Sequence, residues 1–283
     1  MPPGHAVSLA FGAWSCATLR PPHMRDMSHE NMTLPDLPLP AECRAGVDAL
    51  ALRWKKANGP VMALLTRFGG RLEDQMSILP AGFRERAETV TAAALERAWM
   101  VARQGGRLPG SGDRGTLAAA IGAGIAGGAG GIMGGLAELP FTITVLLHAI
   151  RREAEKLGYD PDDPWIMSEA LRTFGSGSPI AADDGINTAF FSARAALTGP
   201  ALNQLIATIA PKLAAALGQK LMAQAVPVMG AVSGAAINAA FLRYYREMAA
   251  IRFGLLRLAE EHGAGPVLEQ FATATARPRI TKA

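Results

Sequence analysis

The chain has 283 residues, of which 49% are hydrophobic and 18% charged, and its net charge at pH 7 is +4. The charged share lies below the roughly one quarter that is usual for soluble proteins, and the mean hydropathy is +0.16. This mild positive charge is too small for the dense basic face of a nucleic-acid-binding protein. The chain has only four Trp and three Tyr, which are too few for a surface on which bases stack. We therefore expect no nucleic-acid partner.

Residues 1–40 are predicted to be a disordered extension, because TLPDLPLP (33–40) contains three prolines and cannot be a helix. No export signal is expected in this region, since its apolar stretch is short and no Lys or Arg precedes it. The two cysteines, Cys16 and Cys43, form neither a metal-ligand spacing nor a disulfide framework. We therefore expect a reducing, cytoplasmic location.

Apolar residues three or four positions apart predict helices from residue 41 onward, and strand patterns are nearly absent. The N-terminal helices are predicted over 41–80, with stops at Asn58-Gly59 and Gly69-Gly70. A longer helix is predicted over 82–104. The expected fold is all-α, a single multi-helix domain with a central Gly/Ala-rich helical hairpin.

The central hairpin is predicted in residues 117–150, which carry one formal charge, Glu138, and one histidine, His148. Its first half, 117–137, contains eight glycines and seven alanines. We predict that a second helix starts at Glu138, because Pro140 suits a first helical turn.

Capping and helix-breaking residues predict where the remaining helices begin and end. The predicted segments are the second hairpin helix to Gly158, a helix from Asp163-Pro164 to Gly175, one from Asp183 or Asp184 to Thr198, one over 200–224 with a kink at Pro211, and one from Pro227 to Gly263. Residues 82–263 are thus expected to form the main helical domain, and residues 264–283 a flexible tail.

Glycines four positions apart share one face of a helix and let two backbones approach closely. Such pairs are Gly124 with Gly128, Gly131 with Gly135, and, in the second apolar block 227–242, Gly230 with Gly234. We predict that the two glycine faces pack on one another. A glycine in a helix costs about 1 kcal/mol relative to alanine, so this many are tolerable only where close packing or lipid compensates.

Three polar side chains stand out in the apolar segments: Glu138, His148 and Asn238. A lone carboxylate among apolar residues must be paired, neutral or exposed. The candidate charge partners for Glu138 are Arg151, Arg152 and Arg243. A plain helix N-terminal charge is the alternative interpretation.

No catalytic motif is recognisable in the sequence, which contains no HExxH, GxSxG or Walker A pattern. A GxGxxG match at 122–127 has no strand before it and no acidic residue about twenty positions later, contrary to a dinucleotide site. We therefore assign no catalytic residue, expect no cofactor and no metal, and favour a non-enzymatic protein.

Two blocks of the chain resemble the signature of the EcsC family. They are GTLAAAIGAGIAGGAGGIMGGLAELPFTITVLLHAIRREAEKLGYDPDDP (115–164) and LMAQAVPVMGAVSGAAINAAFLRYYREMA (221–249). The resemblance extends over about 82–262 and implies an all-helical bacterial protein, from a family named after a gene beside the ATPase and permease genes of an ABC transporter. Some members carry a loose peptidase label, and the family offers no verified catalytic residue. The matching positions are Glu138, Pro140, Gly158, Pro227, Gly230 and Asn238.

Three functions remain open at this stage. The first is a membrane-associated accessory protein that acts through helix–helix contacts with a membrane partner, such as a transporter, because residues 117–137 are long enough for a span of about 20 residues. The second is a soluble helical protein that holds an apolar ligand, such as a lipid, between its glycine-rich helices. The third is a hydrolase that uses Glu138, His148 or Asp183, which requires these groups within hydrogen-bond reach.

Overall fold

Eight α-helices account for nearly all of the residues that the structure, a computed structural model, describes. The described residues are 39–57, 82–103, 112–175, 199–223 and 227–276. The helices are α1 (Ala41–Ala57), α2 (Phe83–Arg103), α3 (Asp113–Ala129), α4 (Gly131–Lys156), α5 (Pro164–Phe174), α6 (Gly199–Ala223), α7 (Pro227–His262) and α8 (Ala264–Thr275). No strand occurs in these ranges, and the predicted all-α fold is confirmed.

Several sequence predictions lie outside the described residues. They are the disordered extension up to residue 38, the stops at Asn58-Gly59 and Gly69-Gly70, and the helix capped by Asp183 or Asp184.

The break between the two hairpin helices lies at Gly130 and Gly131, and not at Glu138 as predicted. Gly131 has a φ of +61°, a left-handed conformation that glycine adopts without a steric penalty. Pro140 lies inside α4, because a proline removes only one helical hydrogen bond and tertiary packing can hold the helix together there. The predicted start at Glu138 was therefore wrong.

The later helix ends follow local signals in the sequence. α4 closes with a Schellman motif, in which Tyr159 N donates to Ala154 O at 3.2 Å and Gly158 N donates to Glu155 O at 3.0 Å. Gly158 has the φ of +86° that this motif requires. Asp163 caps α5 as predicted, since its Oδ1 accepts hydrogen bonds from the first free backbone N–H groups of the helix.

Residues 264–275, expected to belong to a flexible tail, instead form α8. Gly263, with a φ of +89°, reverses the chain after α7. Val267 and Phe271, one helical turn apart, are buried, and α8 packs on α1 and α7. Burial of this apolar face is the reason that the segment is ordered.

The 36-residue helix α7 is the centre of the bundle. It packs against α1, α3, α4 and α8, while α2 packs against α4 and α6. The α7 side chains Phe241, Tyr245 and Phe253 are fully buried. The core is thus built around one long helix, and the α3–α4 hairpin lies on one side of it.

A buried ion pair fixes α5 on α7. Arg252 Nη2 lies 2.6 Å and Nε 2.9 Å from Glu169 Oε2, and Arg172 pairs with the other carboxylate oxygen. Burial lowers the pKa of Arg252, and the Glu169 carboxylate opposes this effect. Because the loss of hydration offsets the attraction between two buried charges, this pair fixes the orientation of α5 on α7 more than it stabilises the fold.

Candidate functional site

The backbones of α3 and α7 touch where two glycines meet. A Cβ atom built on Gly124 would lie 2.3 Å from the carbonyl oxygen of Gly234, much closer than two such atoms can approach. Gly230 lies one helical turn before Gly234 in α7. No side chain, and no ligand, fits between the two helices at this level.

The α3–α4 hairpin is closed in the same way. A Cβ on Gly127 would lie 2.5 Å from Glu138 Oε2, and one on Gly134 would lie 2.7 Å from the Gly127 carbonyl oxygen. Gly128 and Gly135 are buried, whereas Gly131 is at the turn. The two backbones of the hairpin are therefore in contact at Gly127 and Gly134, and the Glu138 side chain lies against Gly127.

A buried polar cluster joins three helices just below this contact. Asn238 Nδ2, on α7, donates to Glu138 Oε1 at 2.8 Å and to the Ala120 carbonyl of α3 at 2.9 Å. The Thr142 hydroxyl, one turn after Glu138 on α4, donates to the same carboxylate oxygen. Glu138 is 9% exposed and Asn238 2%. We call Glu138, Thr142 and Asn238 the polar cluster.

Sequence reasoning selected Glu138 and Asn238 separately but missed that they bind each other. It also missed Thr142, although a hydroxyl four residues after a buried acid in a helix lies on the same face. The Asn238 Oδ1 atom is buried without a hydrogen-bond donor among the described residues. The cluster connects helices through a carboxylate that accepts from two side chains.

The three arginines proposed as partners of Glu138 lie elsewhere. Arg151 pairs with Asp162 and donates its Nε to the Pro161 carbonyl at 3.1 Å. Along a helix of 1.5 Å rise per residue, it is roughly 20 Å from Glu138. Arg152 lies 3.8 Å from Asp113, and Arg243 is exposed on α7. His148, partly buried, is about 15 Å along α4 from Glu138.

The open end of the hairpin is charged. Asp113, the first residue of α3, accepts from Lys156 Nζ at 3.0 Å and from Arg246 Nη2 at 2.8 Å. Glu153 accepts from the same two cations, each at 2.9 Å. The hydrogen bond from Lys156 is the main reason that the pKa of Asp113 is lowered; partial burial opposes the shift and Arg246 adds to it.

A cleft of about 690 Å³ opens beside this ion network, between α1, α4 and α7. We call it the basic cleft, because five basic residues and two acidic residues line it. The lining residues are Arg53, Lys56, Ala57, Glu153, Lys156, Arg243, Arg246 and Glu247.

The closed end of the hairpin, around Gly130, has the opposite character. Between Arg114 and Arg151 the only formal charge is the buried Glu138. Large apolar side chains are nevertheless exposed on the half of the hairpin nearer this end: Ile125 at 48%, Met133 at 66% and Phe141 at 47%. We call these three side chains the apolar face.

Small residues continue this uncharged surface on α3. Ala118, Gly122 and Ala126 stand four positions apart and are all exposed, and a Cβ on Gly122 would meet nothing within 4 Å. α3 therefore has two small-residue faces, of which one is packed on α7 and the other is open.

One helical segment within the described ranges, Met133–Lys156, has the length and hydropathy of a membrane span. Its most apolar window is 56% buried inside the protein, as the core helix of a soluble protein also is. The stretch that is long enough by residue count for a span, 117–137, is divided by the break at Gly130.

Comparison with known proteins identifies a protein family. Residues 98–257, more than half of the chain, match the model of the EcsC protein family. The match begins within α2 and ends within α7, so it includes the hairpin and the polar cluster. No match is found among the curated proteins or among the solved structures.

Proposed function

The chain belongs to the EcsC protein family, and we propose that it is a membrane-associated accessory protein with no reaction of its own, whose α3–α4 hairpin meets the membrane. The observation that carries this proposal is the apolar face. An exposed, uncharged surface that includes Met133, 66% exposed, and Phe141, 47% exposed, is typical of a protein or membrane interaction site.

The energy available from the apolar face suits reversible attachment. Full burial of a large apolar side chain contributes about 1.5–3 kcal/mol, and these three side chains are between 47% and 66% exposed. Each therefore contributes about 1 kcal/mol on entering lipid. The total of about 3 kcal/mol is smaller than the roughly 5.5 kcal/mol of a single lipid anchor, which already binds membranes only reversibly.

The open small-residue face of α3 supports helix–helix contact as the mode of action. Ala118, Gly122 and Ala126 stand at the spacing that allows the backbone of another helix to approach closely in a membrane. We propose that this face binds a transmembrane helix of a partner, such as a transporter subunit.

The other two functions receive less support from the geometry. A lipid between the glycine-rich helices requires space, yet the Gly124 and Gly234 backbones are in contact. A hydrolase built on Glu138 and His148 requires them within hydrogen-bond reach, and about 15 Å of helix separates them. Asp183, the third candidate, lies outside the described residues.

The test is flotation of purified protein with vesicles of phosphatidylcholine and phosphatidylglycerol. The Met133→Glu/Phe141→Glu variant places two charges on the apolar face. Because a charge in the apolar region of a membrane costs about 2.5–3.5 kcal/mol at its centre and less near its surface, we expect the partition coefficient to fall about tenfold or more.

The control variant is Leu52→Glu, which adds a charge to α1 at a side chain that is 53% exposed and outside the hairpin. It should float like the wild type. Wild-type protein that stays wholly in the soluble fraction at low salt, both with these vesicles and with membranes of the source cell, would show that the proposal is wrong.

A further inference from the structure

We propose that the basic cleft binds a soluble small molecule through a phosphate group. Phosphate binding by the cleft does not depend on the membrane-binding role of the apolar face, because it rests on different residues at the other end of the hairpin; only the choice of a soluble ligand over a lipid headgroup rests on that role. The volume of about 690 Å³ lies in the range of small-molecule sites.

The positive charge of the cleft is only partly neutralised. Arg53 is paired with Glu247, whose Oε2 lies 3.0 Å from Nε and 2.9 Å from Nη2. Lys56 and Arg243 line the same space, are exposed, and have no ion pair within the part of the chain that the structure describes. These two cations are therefore available to a ligand, and their combined charge matches a dianion.

Two further cations are held in position beside them. Arg246 Nε and Lys156 Nζ both lie 2.9 Å from Glu153 Oε1, and both also bind Asp113. Hydrogen bonds to Glu153 and Asp113 raise the pKa of Arg246 against the effect of burial. Side chains fixed in this way lose little conformational freedom when a ligand binds.

Phosphate is the anion that this set of donors fits best. A guanidinium group offers a planar pair of N–H donors that matches two phosphate oxygens, and an ammonium group adds a compact charge. The cleft presents three guanidinium and two ammonium groups on three helices. A monoanionic carboxylate would leave one of the two unneutralised cations, Lys56 or Arg243, without a partner.

The place of the cleft favours a soluble ligand over a lipid headgroup. Lys156 in the cleft and Met133 on the apolar face are at opposite ends of α4, about 35 Å apart along the helix axis. If the hairpin turn beside Met133 enters a membrane end-on, the cleft is therefore out of reach of the headgroups of that membrane.

The experiment is isothermal titration calorimetry of the full chain with inorganic pyrophosphate at low salt. We expect saturable binding by the wild type. The Lys56→Gln/Arg243→Gln variant removes both unneutralised cations and should bind about tenfold or more weakly, since charge-assisted hydrogen bonds contribute about 1.5–3 kcal/mol each. Both residues are exposed, and thermal unfolding will verify that the variant is folded.

The control is Arg84→Gln/Lys212→Gln, which removes the same two types of charge at exposed positions of α2 and α6. It should bind pyrophosphate with an affinity within about twofold of the wild type. The Met133→Glu/Phe141→Glu variant should do the same, even if the membrane proposal is wrong.

Three results would overturn the inference. They are no binding by the wild type, an equal loss of binding in both charge variants, or cleft-dependent binding only to vesicles that contain phosphatidic acid. The last result would identify a lipid headgroup as the ligand.

Discussion

Glycine occurs on α3 for two different reasons, and Gly124 and Gly122 show the difference. Gly124 faces α7, where a Cβ would lie 2.3 Å from a backbone oxygen that cannot move without shifting the helix. Gly122 faces open space. The first glycine is required by packing inside the protein, whereas the second leaves the outer surface of the hairpin smooth.

These positions predict opposite effects of alanine on stability. We expect Gly124→Ala to lower the free energy of unfolding by about 1–3 kcal/mol, because overpacking separates α3 from α7. We expect Gly122→Ala to raise it by up to about 1 kcal/mol, because alanine has the higher helix propensity. Urea unfolding of the two variants measures both values, and a Gly124→Ala protein as stable as the wild type would contradict the close contact.

At the same scale, the sequence indicates which residues are unusual but not which of them meet. Glu138 and Asn238 can be recognised as lone polar residues in apolar segments, yet they are 100 positions apart in the chain, and their hydrogen bond depends on the register of α4 against α7. Arginines in the same or neighbouring segments were predicted as partners of Glu138 because of their opposite charge. The rise of an α-helix places Arg151 roughly 20 Å away from the carboxylate.

Whole helices were predicted best where a local signal fixes their ends. Two examples are the start of α5 at Asp163 and Pro164 and the end of α4 at Gly158. Each of these signals acts within one turn of helix, so the helix end can be predicted from the sequence. The break between α3 and α4 has two competing signals, Gly130-Gly131 and Pro140, and packing of the hairpin decides between them. α8 shows the same dependence, since its order comes from burial against α1 and α7.

The ion network at the open end of the hairpin predicts a pH dependence of stability. Because the pKa of Asp113 is lowered below 3.8 in the folded protein, its ionised form stabilises the fold above that pH, and this contribution is lost as the pH falls through the lower, folded value. The side chain is 46% exposed, so solvent weakens the effect to about 1 kcal/mol or less.

Thermal unfolding of Asp113→Asn at two pH values measures this contribution. At pH 7 we expect a Tm up to roughly 2–4 °C below that of the wild type, with the difference disappearing well below pH 3.8. Glu88→Gln is the control, because Glu88 contacts Arg84 only at 3.8 Å on one exposed helix face. A Tm difference that is constant with pH would mean that Asp113 contributes through packing or capping and not through its charge.

Within the described ranges, the two ends of the hairpin differ in charge at the scale of the whole molecule. The uncharged turn around Gly130 is at one end, and the ion network and the basic cleft are at the other, about 35 Å away along α4. α7 runs antiparallel to α3, since Gly234 meets Gly124 while Arg246 meets Asp113. The uncharged first part of α7, residues 227–242, therefore begins at the same end as the hairpin turn, which enlarges the uncharged end.

This polarity predicts one orientation at a membrane, with the hairpin turn in the lipid and the cleft in water. Spin labels at Met133→Cys and Lys56→Cys, in a Cys16→Ser/Cys43→Ala background, measure this orientation. The collision rate of each label with oxygen reports access from lipid, and its collision rate with a water-soluble nickel complex reports access from water. With vesicles, we expect the label at 133 to be reached mainly by oxygen and the label at 56 mainly by nickel. A label at Leu52→Cys on α1, at a side chain 53% exposed, controls for local exposure and should behave like the label at 56. Equal nickel access at 133 and 56 in vesicle-bound protein would show that the hairpin turn does not enter the membrane.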